Sequence, residues 1–278
     1  MRQYLQCGRF GFSLEKMPLV MGILNVTPDS FSDGGWFQSL EFAFSRAEEM
    51  ITEGVDMIDV GGESSRPGAP SLALDEELRR VMPVLYALRD LGKPLSIDTY
   101  KPEVMREAIL AGVDMINDIS GFRAPGALEA VLGSDCALCV MHMQGTPQNM
   151  QQQPAYTDVV GEVIAFLQQR VGEMVAAGIE RERICIDPGF GFGKTVDHNY
   201  ALLRNIGRMQ QECGLPVLAG VSRKSMIGAV TGKPVEQRLA GNLAGALAAI
   251  AHGARIVRVH DVVETVDAVK VWQAATND

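Results

Sequence analysis

The sequence has few cysteines, few histidines and few aromatic residues, and its basic residues are outnumbered by acidic ones. Lysine and arginine total 25 against 34 aspartates and glutamates, which gives a formal charge of −9. Without a basic patch, such a surface would repel nucleic acid and anionic membranes, so we expect neither partner. Five cysteines are an odd number without the spacing of a disulfide framework, and this indicates a reducing compartment.

Long apolar runs are also missing. Residues 243–251 form a short stretch of small side chains, far below the length of a membrane span. The first eleven residues contain no apolar segment typical of a secretory signal. With 278 residues, 47% of them hydrophobic, the chain can still bury a large core. We therefore expect a cytoplasmic globular protein of the size of one α/β barrel.

A recurring motif indicates the architecture. Gly-Val-Asp-Met-Ile at 54–58 reappears at 112–116, and related segments begin at Gly178 and Gly253, each after a helical pattern. Glycine just past a helix accepts the left-handed backbone conformation from which the chain turns into a strand. Helix, glycine and strand in repetition predict βα units and a parallel sheet.

Eight apolar runs that end in polar residues are the predicted strands. They span 20–26, 57–61, 95–99, 115–119, 137–143, 184–188, 216–222 and 256–261. Helical patterns cover 103–110, 156–177, 198–211 and 239–252, and another helix is expected after Ser39 as its N-cap. We predict a single-domain (β/α)8 TIM barrel over residues 1–278, with its core from about 18 to 270; an open doubly wound sheet is the alternative.

Polar residues at the ends of the predicted strands mark the candidate site, because such barrels bind substrates at the C-terminal ends of their strands. They are Asn25, the loop 61–69, Asp98, Asn117, His142, Asp187, the segment 222–225, Arg258 and His260. Any one of them could simply cap a helix or bind backbone groups. Their convergence on one rim favours a site, in which Arg66, Arg258 and His260 would form a cationic rim suited to a polyanion.

The segment Asp-Pro-Gly-Phe-Gly-Phe-Gly-Lys-Thr at 187–195 looks like a phosphate-binding loop but departs from that pattern. The Walker motif needs a glycine five residues before Gly193, where this chain has Pro188. We interpret the segment as a flexible loop that displays Asp187, whose carboxylate can pair two donors of a guanidine-like heterocycle. Lys224 and Ser225 follow the seventh strand at a predicted helix start, which favours an anion such as a carboxylate. A Schiff-base role for Lys224 is the alternative, although the sequence shows no desolvating pocket.

Three further patterns have weaker interpretations. Cys136 and Cys139 have redox or metal-site spacing, but without a second pair they are expected to be packed hydrophobic residues. His142 follows the fifth predicted strand, and its role, structural or supporting, stays open. Small residues form one face of the segment 241–248, which permits close packing against the barrel or a second subunit.

Eight motifs, in order across nearly the whole chain, resemble those of the dihydropteroate synthases of folate biosynthesis. They lie at 21–35, 59–68, 96–99, 116–118, 141–145, 187–194, 222–225 and 258–261. The resemblance implies that a dihydropterin carrying a methyl diphosphate is joined to 4-aminobenzoate, giving 7,8-dihydropteroate and pyrophosphate. It also implies a homodimer, and binding of sulfonamides in place of 4-aminobenzoate.

The resemblance implies a role for each matching residue. Mg²⁺ on the diphosphate would be held by Asn25 and Asp33. The pterin ring would be bound by Asp98, Asn117, Asp187 and Lys224. The diphosphate would be bound by Ser65, Arg66, Arg258 and His260. The 4-aminobenzoate would meet Ser225 at its carboxylate and be flanked by Phe190 and Pro67. The residues expected to be catalytic are Asp98, Lys224, Arg258 and His260.

One departure from the family pattern is visible at Ser65, where a threonine is usual. The hydroxyl is kept and a methyl group is lost, so we expect looser loop packing rather than lost function.

The implied chemistry agrees with these residue types. A pterin-methyl diphosphate can ionise because ring nitrogens stabilise the carbocation, which a neutral arylamine then attacks. Positive charge from Mg²⁺, the arginines and His260 would stabilise the departing diphosphate. A pterin-binding corrinoid methyltransferase would have no use for this diphosphate cluster. A non-catalytic pterin-binding protein would be expected to have lost Asn25 or Arg258, and both are present.

Overall fold

The computed structural model describes residues 4–15, 17–26 and 35–276, which form a βα barrel preceded by a hairpin. The hairpin strands are β1 (Tyr4–Cys7) and β2 (Phe10–Ser13). The barrel strands are β3 (Leu19–Asn25), β4 (Met57–Gly61), β5 (Leu95–Asp98), β6 (Met115–Asp118), β7 (Ala137–Met141), β8 (Ile184–Asp187), β9 (Leu218–Ala219) and β10 (Ile256–Val259). The eight predicted strands are confirmed, although β9 is much shorter than expected.

The barrel strands are parallel and closed. Hydrogen bonds join them in the order β8-β7-β6-β5-β4-β3-β10-β9. A parallel bridge between Ile186 of β8 and Val217, just before β9, joins the two remaining edges. The (β/α)8 barrel is therefore confirmed and the open doubly wound sheet is wrong, because an open sheet would leave both edge strands unpaired.

Helices cover the outside of the barrel. They are α1 (Gly35–Glu53), α2 (Leu74–Leu88), α3 (Pro102–Ala111), α4 (Ala127–Val131), α5 (Val159–Ala176), α6 (Val196–Arg204), α7 (Ile206–Cys213), α8 (Ser225–Thr231), α9 (Leu239–Ala251) and α10 (Val262–Thr276). Two helix predictions were wrong in detail. Ser39 lies inside α1 and is not its N-cap. The predicted helix 198–211 is two helices, which part at Asn205, where the side-chain amide donates to the Ala201 carbonyl.

The recurring glycines end helices as predicted. Gly54, Gly112, Gly178 and Gly253 all have φ between 92° and 108°, a region that residues with a Cβ rarely adopt. At α3, the Gly112 N–H bonds the last carbonyls of the helix. Buried aliphatic side chains of the strands then pack against those of the helices in one large core.

The hairpin covers the N-terminal end of the barrel, and it was not predicted from the sequence. Leu5 and Cys7 are fully buried against barrel residues such as Met57. The Arg9 guanidinium lies 3.0 Å from the carboxylate of Asp114, which the Leu95 N–H also meets at 3.0 Å. The packed core thus begins ahead of residue 18.

The cysteines behave as small hydrophobic residues, as expected. All five are free and buried. In the part of the chain that the structure describes, no helix is long and apolar enough to cross a membrane.

Candidate active site

Four candidate residues lie in one row across neighbouring strands at the C-terminal mouth of the barrel. Asn25 is in register with Gly61, Gly61 with Asp98, and Asp98 with Asn117. Register partners in a parallel sheet point to the same face, so the row brings an exposed amide, a carboxylate and a buried amide together. Gly61 adds no side chain to the row, and a Cβ there would be in ordinary contact with the Asn25 amide oxygen at 3.5 Å.

Asp59 is the centre of the charge network beneath this row. Its fully buried carboxylate accepts from the Ser96 hydroxyl at 2.6 Å, from the Asn117 amide at 3.2 Å and from Arg258 Nε at 2.6 Å. Sequence reasoning missed this residue because it considered the ends of strands, and Asp59 lies two residues before the end of β4. Its even spacing from Gly61 on the same strand was the available signal.

Arg258 is held inside the barrel mouth rather than on a free cationic rim. Its Nη2 donates to Asp98 at 2.9 Å, in addition to the bond from Nε to Asp59. Burial raises the pKa of Asp98, and the Arg258 guanidinium opposes this rise. The predicted cationic rim therefore needs correction, because two carboxylates already neutralise much of this charge.

His260 also departs from the predicted cationic role. Its Nδ1 lies 3.0 Å from the Ser222 hydroxyl. Burial, together with the nearby Arg223 and Arg258, lowers the pKa of His260 to about 3. The imidazole is thus neutral at physiological pH and can offer a hydrogen bond but no charge.

Asp187 and Lys224 form the other side of the mouth. Asp187 ends β8, and one of its oxygens accepts from the Gly189 N–H at 2.6 Å. Burial raises the pKa of Asp187, which Lys224 counteracts. For Lys224, burial lowers the pKa to about 8, although the negative charge of Asp187 acts in the opposite direction. The ammonium donates to the Phe190 carbonyl. Lys224 is therefore a hydrogen-bond donor in a desolvated environment, which the sequence did not reveal.

The two phenylalanines of the glycine loop have different environments. Phe190 is fully buried in the large core, so its ring offers no surface to 4-aminobenzoate and that prediction finds no support. Phe192 instead belongs to a small apolar cluster at the mouth, and its ring centre lies 4.4 Å from Lys224 Nζ. The other members of this rim cluster are Ile119, Met141, Met143 and Met150, with Tyr100 packed against them.

The loop between β4 and α2, residues 62–73, carries the remaining diphosphate candidates. Arg66 and Pro67 are exposed, and Ser65 is partly buried. Ser65 lines an open pocket together with Asp98 and Tyr100. This places the loop directly beside the row of strand-end residues.

Two further candidates have different outcomes. Ser225 is the first residue of α8 and is exposed beside Lys224. Asp33 lies outside the described residues. Within 4–15, 17–26 and 35–276, no group of three or more His, Cys, Asp or Glu side chains is arranged to hold a metal by itself.

His142, whose role was open, supports the glycine loop. It is buried, and its Nδ1 lies 3.0 Å from Lys194 Nζ. The Lys194 ammonium also donates to the Phe192 carbonyl at 2.9 Å and to the His142 carbonyl at 3.3 Å. Lys194 is thus buried within the protein, which confirms that the segment is not a Walker loop.

Comparison with known proteins identifies the family. A family model described as "Pterin binding enzyme" matches residues 21–260. The chain is 53% identical to a dihydropteroate synthase of Haemophilus influenzae over 94% of this chain and 95% of the relative. It is 50% identical to one of Neisseria meningitidis serogroup C over 98% of each chain.

Solved structures agree. Dihydropteroate synthase of Burkholderia cenocepacia complexed with 7,8-dihydropteroate superposes with a TM-score of 0.90 at 54% identity, covering 99% of this chain and 96% of that one. The Xanthomonas albilineans enzyme with 4-aminobenzoic acid gives 0.93 at 48% identity over the whole of both chains. The Yersinia pestis enzyme in a sulfonamide drug complex gives 0.93 at 45%, over 99% of this chain and 100% of that one. The chain therefore belongs to the pterin binding enzymes and, among them, to the dihydropteroate synthase family.

Proposed function

We propose that the protein joins the methyl carbon of (7,8-dihydropterin-6-yl)methyl diphosphate to the amino nitrogen of 4-aminobenzoate. The products are 7,8-dihydropteroate and pyrophosphate. The relatives named dihydropteroate synthase and the neighbouring structure with bound 7,8-dihydropteroate support this reaction. The observation that carries the proposal is the juxtaposition, at one barrel mouth, of buried carboxylates, a small apolar cluster and an exposed arginine loop.

The deep part of the mouth suits the pterin ring. Asp98 and Asp187 can accept from the N–H groups of the heterocycle, Asn117 can accept and donate, and Lys224 can donate. The flat faces of the ring need apolar surface, which would come from the rim cluster, where Phe192 is the most exposed of the buried members at 8%.

Ring binding also favours the chemical step. The carbon–oxygen bond to the diphosphate breaks, its electron pair leaves with pyrophosphate, and positive charge spreads over the pterin. Negative charge on Asp98 and Asp187 stabilises that cation. The arylamine nitrogen then forms the new carbon–nitrogen bond and releases one proton.

The outer part of the mouth suits the departing diphosphate. Arg66 is exposed on the β4–α2 loop and free to turn toward phosphate oxygens, which a guanidinium can bind with two parallel hydrogen bonds. Neutral His260 can add a hydrogen bond, and the exposed Ser225 can receive the carboxylate of 4-aminobenzoate. Arg258 contributes from beneath, since Asp59 and Asp98 hold its guanidinium in place.

We also propose that Mg²⁺ accompanies the diphosphate. Mg²⁺ typically takes one or two protein oxygens, several waters and substrate phosphates. The exposed amide oxygen of Asn25 fits that donor set, whereas the described residues offer no complete protein cage. Asn25 would hold the ion, with Asp33 as the second expected ligand. When bound, Mg²⁺ would supply positive charge to the phosphate oxygens.

We further propose a homodimer in the cytoplasm. The free, buried cysteines support a reducing compartment. The small-residue face of α9 serves packing within the chain, because a Cβ at Gly241 would lie 2.5 Å from Ile227 of α8. Beside it, Val230, Val235 and Leu239 are 64%, 41% and 40% exposed, and a second copy would cover them. Sedimentation should show a dimer at micromolar concentration; a monomer would contradict this proposal.

Mass spectrometry of a reaction with both substrates tests the function. We expect equal amounts of 7,8-dihydropteroate and pyrophosphate, and neither product when one substrate is omitted. A non-catalytic pterin-binding protein would bind the diphosphate substrate and release no pyrophosphate. A methyltransferase would leave the arylamine unchanged.

A further inference from the structure

A cluster of buried charges lies beneath the β4–α2 loop and takes no part in the reaction described above. It consists of Glu63 at the start of that loop, Glu77 on α2, and Tyr100 and Lys101 just before α3. The side chains of Glu63, Glu77 and Lys101 are 10%, 1% and 14% exposed. We call these four residues the Glu63 clamp.

The contacts of the clamp converge on the Glu63 carboxylate. Tyr100 donates its hydroxyl to Glu63 Oε1 at 2.8 Å, and Lys101 Nζ donates to Glu63 Oε2. Lys101 also donates to Glu77, whose other oxygen accepts from the Thr99 hydroxyl at 2.7 Å. The Lys101 ammonium therefore joins the loop to α2. Burying three charged groups together costs free energy, which only well-placed partners and hydrogen bonds offset.

The clamp fixes one end of the loop, and two further hydrogen bonds fix backbone points on either side of Ser65 and Arg66. Next to Glu63, the Gly62 carbonyl accepts from Arg80 of α2 at 3.2 Å. Further along the loop, the Gly68 N–H donates to the Pro147 carbonyl at 3.0 Å. Between these points lie the side chains that face solvent and the open pocket, Ser65 and Arg66.

The clamp also touches the deep part of the site. Tyr100 and Lys101 follow Asp98 with only Thr99 between, and the Tyr100 ring packs against the rim cluster. A short, continuous stretch of chain thus carries one ring-binding carboxylate and both donors that hold Glu63.

We propose that Tyr100 and Lys101 are positioning residues that, through Glu63, hold the β4–α2 loop where it meets the diphosphate. The inference rests on the proposed function, which assigns the diphosphate to this loop. Neither side chain is assigned to a reacting atom in the proposed reaction, although Tyr100 lines the open pocket beside Asp98. Their effect is to set the distance between the pterin ring and the loop that receives its leaving group.

Calorimetric titration of two ligands tests this assignment. One ligand is (7,8-dihydropterin-6-yl)methyl diphosphate, and the other is the same dihydropterin with a hydroxymethyl group and no phosphates. Tyr100→Phe keeps the ring and removes one hydrogen bond to Glu63. Lys101→Met is made together with Glu77→Gln, so that only one of the two carboxylates that Lys101 had joined remains charged.

Both variants should weaken binding of the diphosphate ligand, by about fivefold for Tyr100→Phe and about tenfold or more for the Lys101 variant. The Kd of the phosphate-free pterin should change by less than about twofold. Lys101→Arg, which keeps a cation between the carboxylates, should restore most of the lost affinity. Tyr86→Phe and Lys270→Met are matched controls on exposed side chains, and they should change neither Kd.

An equal loss of affinity for both ligands would overturn the inference, because it would show a general structural role. Unchanged affinity for both would overturn it as well. If the Lys101 variant does not fold, Tyr100→Phe decides alone. A wild-type protein that forms no dihydropteroate would contradict the proposed function; in that case, a selective loss of diphosphate affinity would still support the clamp.

Discussion

Each end of the barrel contains an aspartate paired with an arginine, but the two ends differ in whether the chain covers that aspartate. At the N-terminal end, Asp114 is buried and accepts from the Leu95 N–H and from three N–H groups of Arg9 on the hairpin. At the C-terminal mouth, Asp98 meets Arg258, and both side chains keep some exposure. The protein's own hairpin seals the first carboxylate, whereas the second faces an open pocket. A buried carboxylate thus stabilises the fold when the chain covers it and is available for chemistry when it does not.

Asp114→Ala should break the N-terminal end without changing chemistry. The Leu95 N–H would lose its acceptor, and the half-exposed Arg9 would lose its partner, so the free energy of unfolding should fall by about 1–3 kcal/mol. KM and kcat of the folded fraction should stay within about twofold, since the site lies at the opposite end. Urea unfolding with parallel activity assays measures both. Asp90→Ala, a control on an exposed carboxylate of another ion pair, should change neither stability nor kinetics. A fall in kcat with unchanged stability in Asp114→Ala would show that the two ends are not separate in function.

Asp187→Asn and Asp98→Asn should show the converse at the mouth. Each removes negative charge beside the pterin cation, so kcat/KM should fall by about two to three decades, or about 2–4 kcal/mol. The Tm should change little, because the amide oxygen of asparagine can still accept from Arg258 at position 98 and from the Gly189 N–H at position 187. Steady-state kinetics and thermal unfolding test this. Asp197→Asn, on an exposed side chain of α6, is the control; near wild-type rates in either mouth variant would contradict the assignment.

Because the mouth is open, binding of one ligand there should also change the affinity for another. If the loop of Arg66 meets 4-aminobenzoate only after a diphosphate has bound, sulfonamides should bind weakly to the free protein. Their affinity should rise by a factor of about 5–150 with Mg²⁺ and pyrophosphate, the usual span of coupling between two sites. Calorimetry with and without Mg²⁺-pyrophosphate measures the factor. Equal affinities would show that the pocket is already formed.

A smaller effect is expected from His142, which should make the folded protein less stable in acid. Burial, together with the nearby Lys194, lowers the pKa of His142 from 6.5 to about 3. Below pH 6.5 the unfolded chain therefore binds a proton that the folded protein refuses, so the free energy of unfolding falls as the pH drops toward 3. Between pH 7 and 5 this contribution should be about 1–2 kcal/mol. It should disappear in His142→Gln and persist in His252→Gln; parallel pH profiles for wild type and His142→Gln would contradict it.

Much of the site could be predicted because strand ends of a parallel barrel share one rim. Apolar runs located the eight strands, and polar residues near the ends of these runs located Asn25, Asp98, Asn117 and Asp187. The resemblance to a known family then assigned chemistry to them. None of this required a contact between distant residues, since period and chain order carry it.

Other features needed contacts that sequence order does not contain. Phe190 and Phe192 are two residues apart in one glycine loop, yet only the folded backbone sends the first into the core and the second to the mouth. The neutrality of His260 depends on burial and on arginines brought near it by folding.

By itself, the sequence determined the strands, the helix-ending glycines and the rim on which the polar residues meet, because these follow from local periodicity and backbone preference. Only the tertiary structure decided which of those residues are partners. Arg258 lies about 200 residues from Asp59 along the chain, yet their atoms are 2.6 Å apart. The charge that each group carries depends on such long-range neighbours and on burial, and local sequence contains neither.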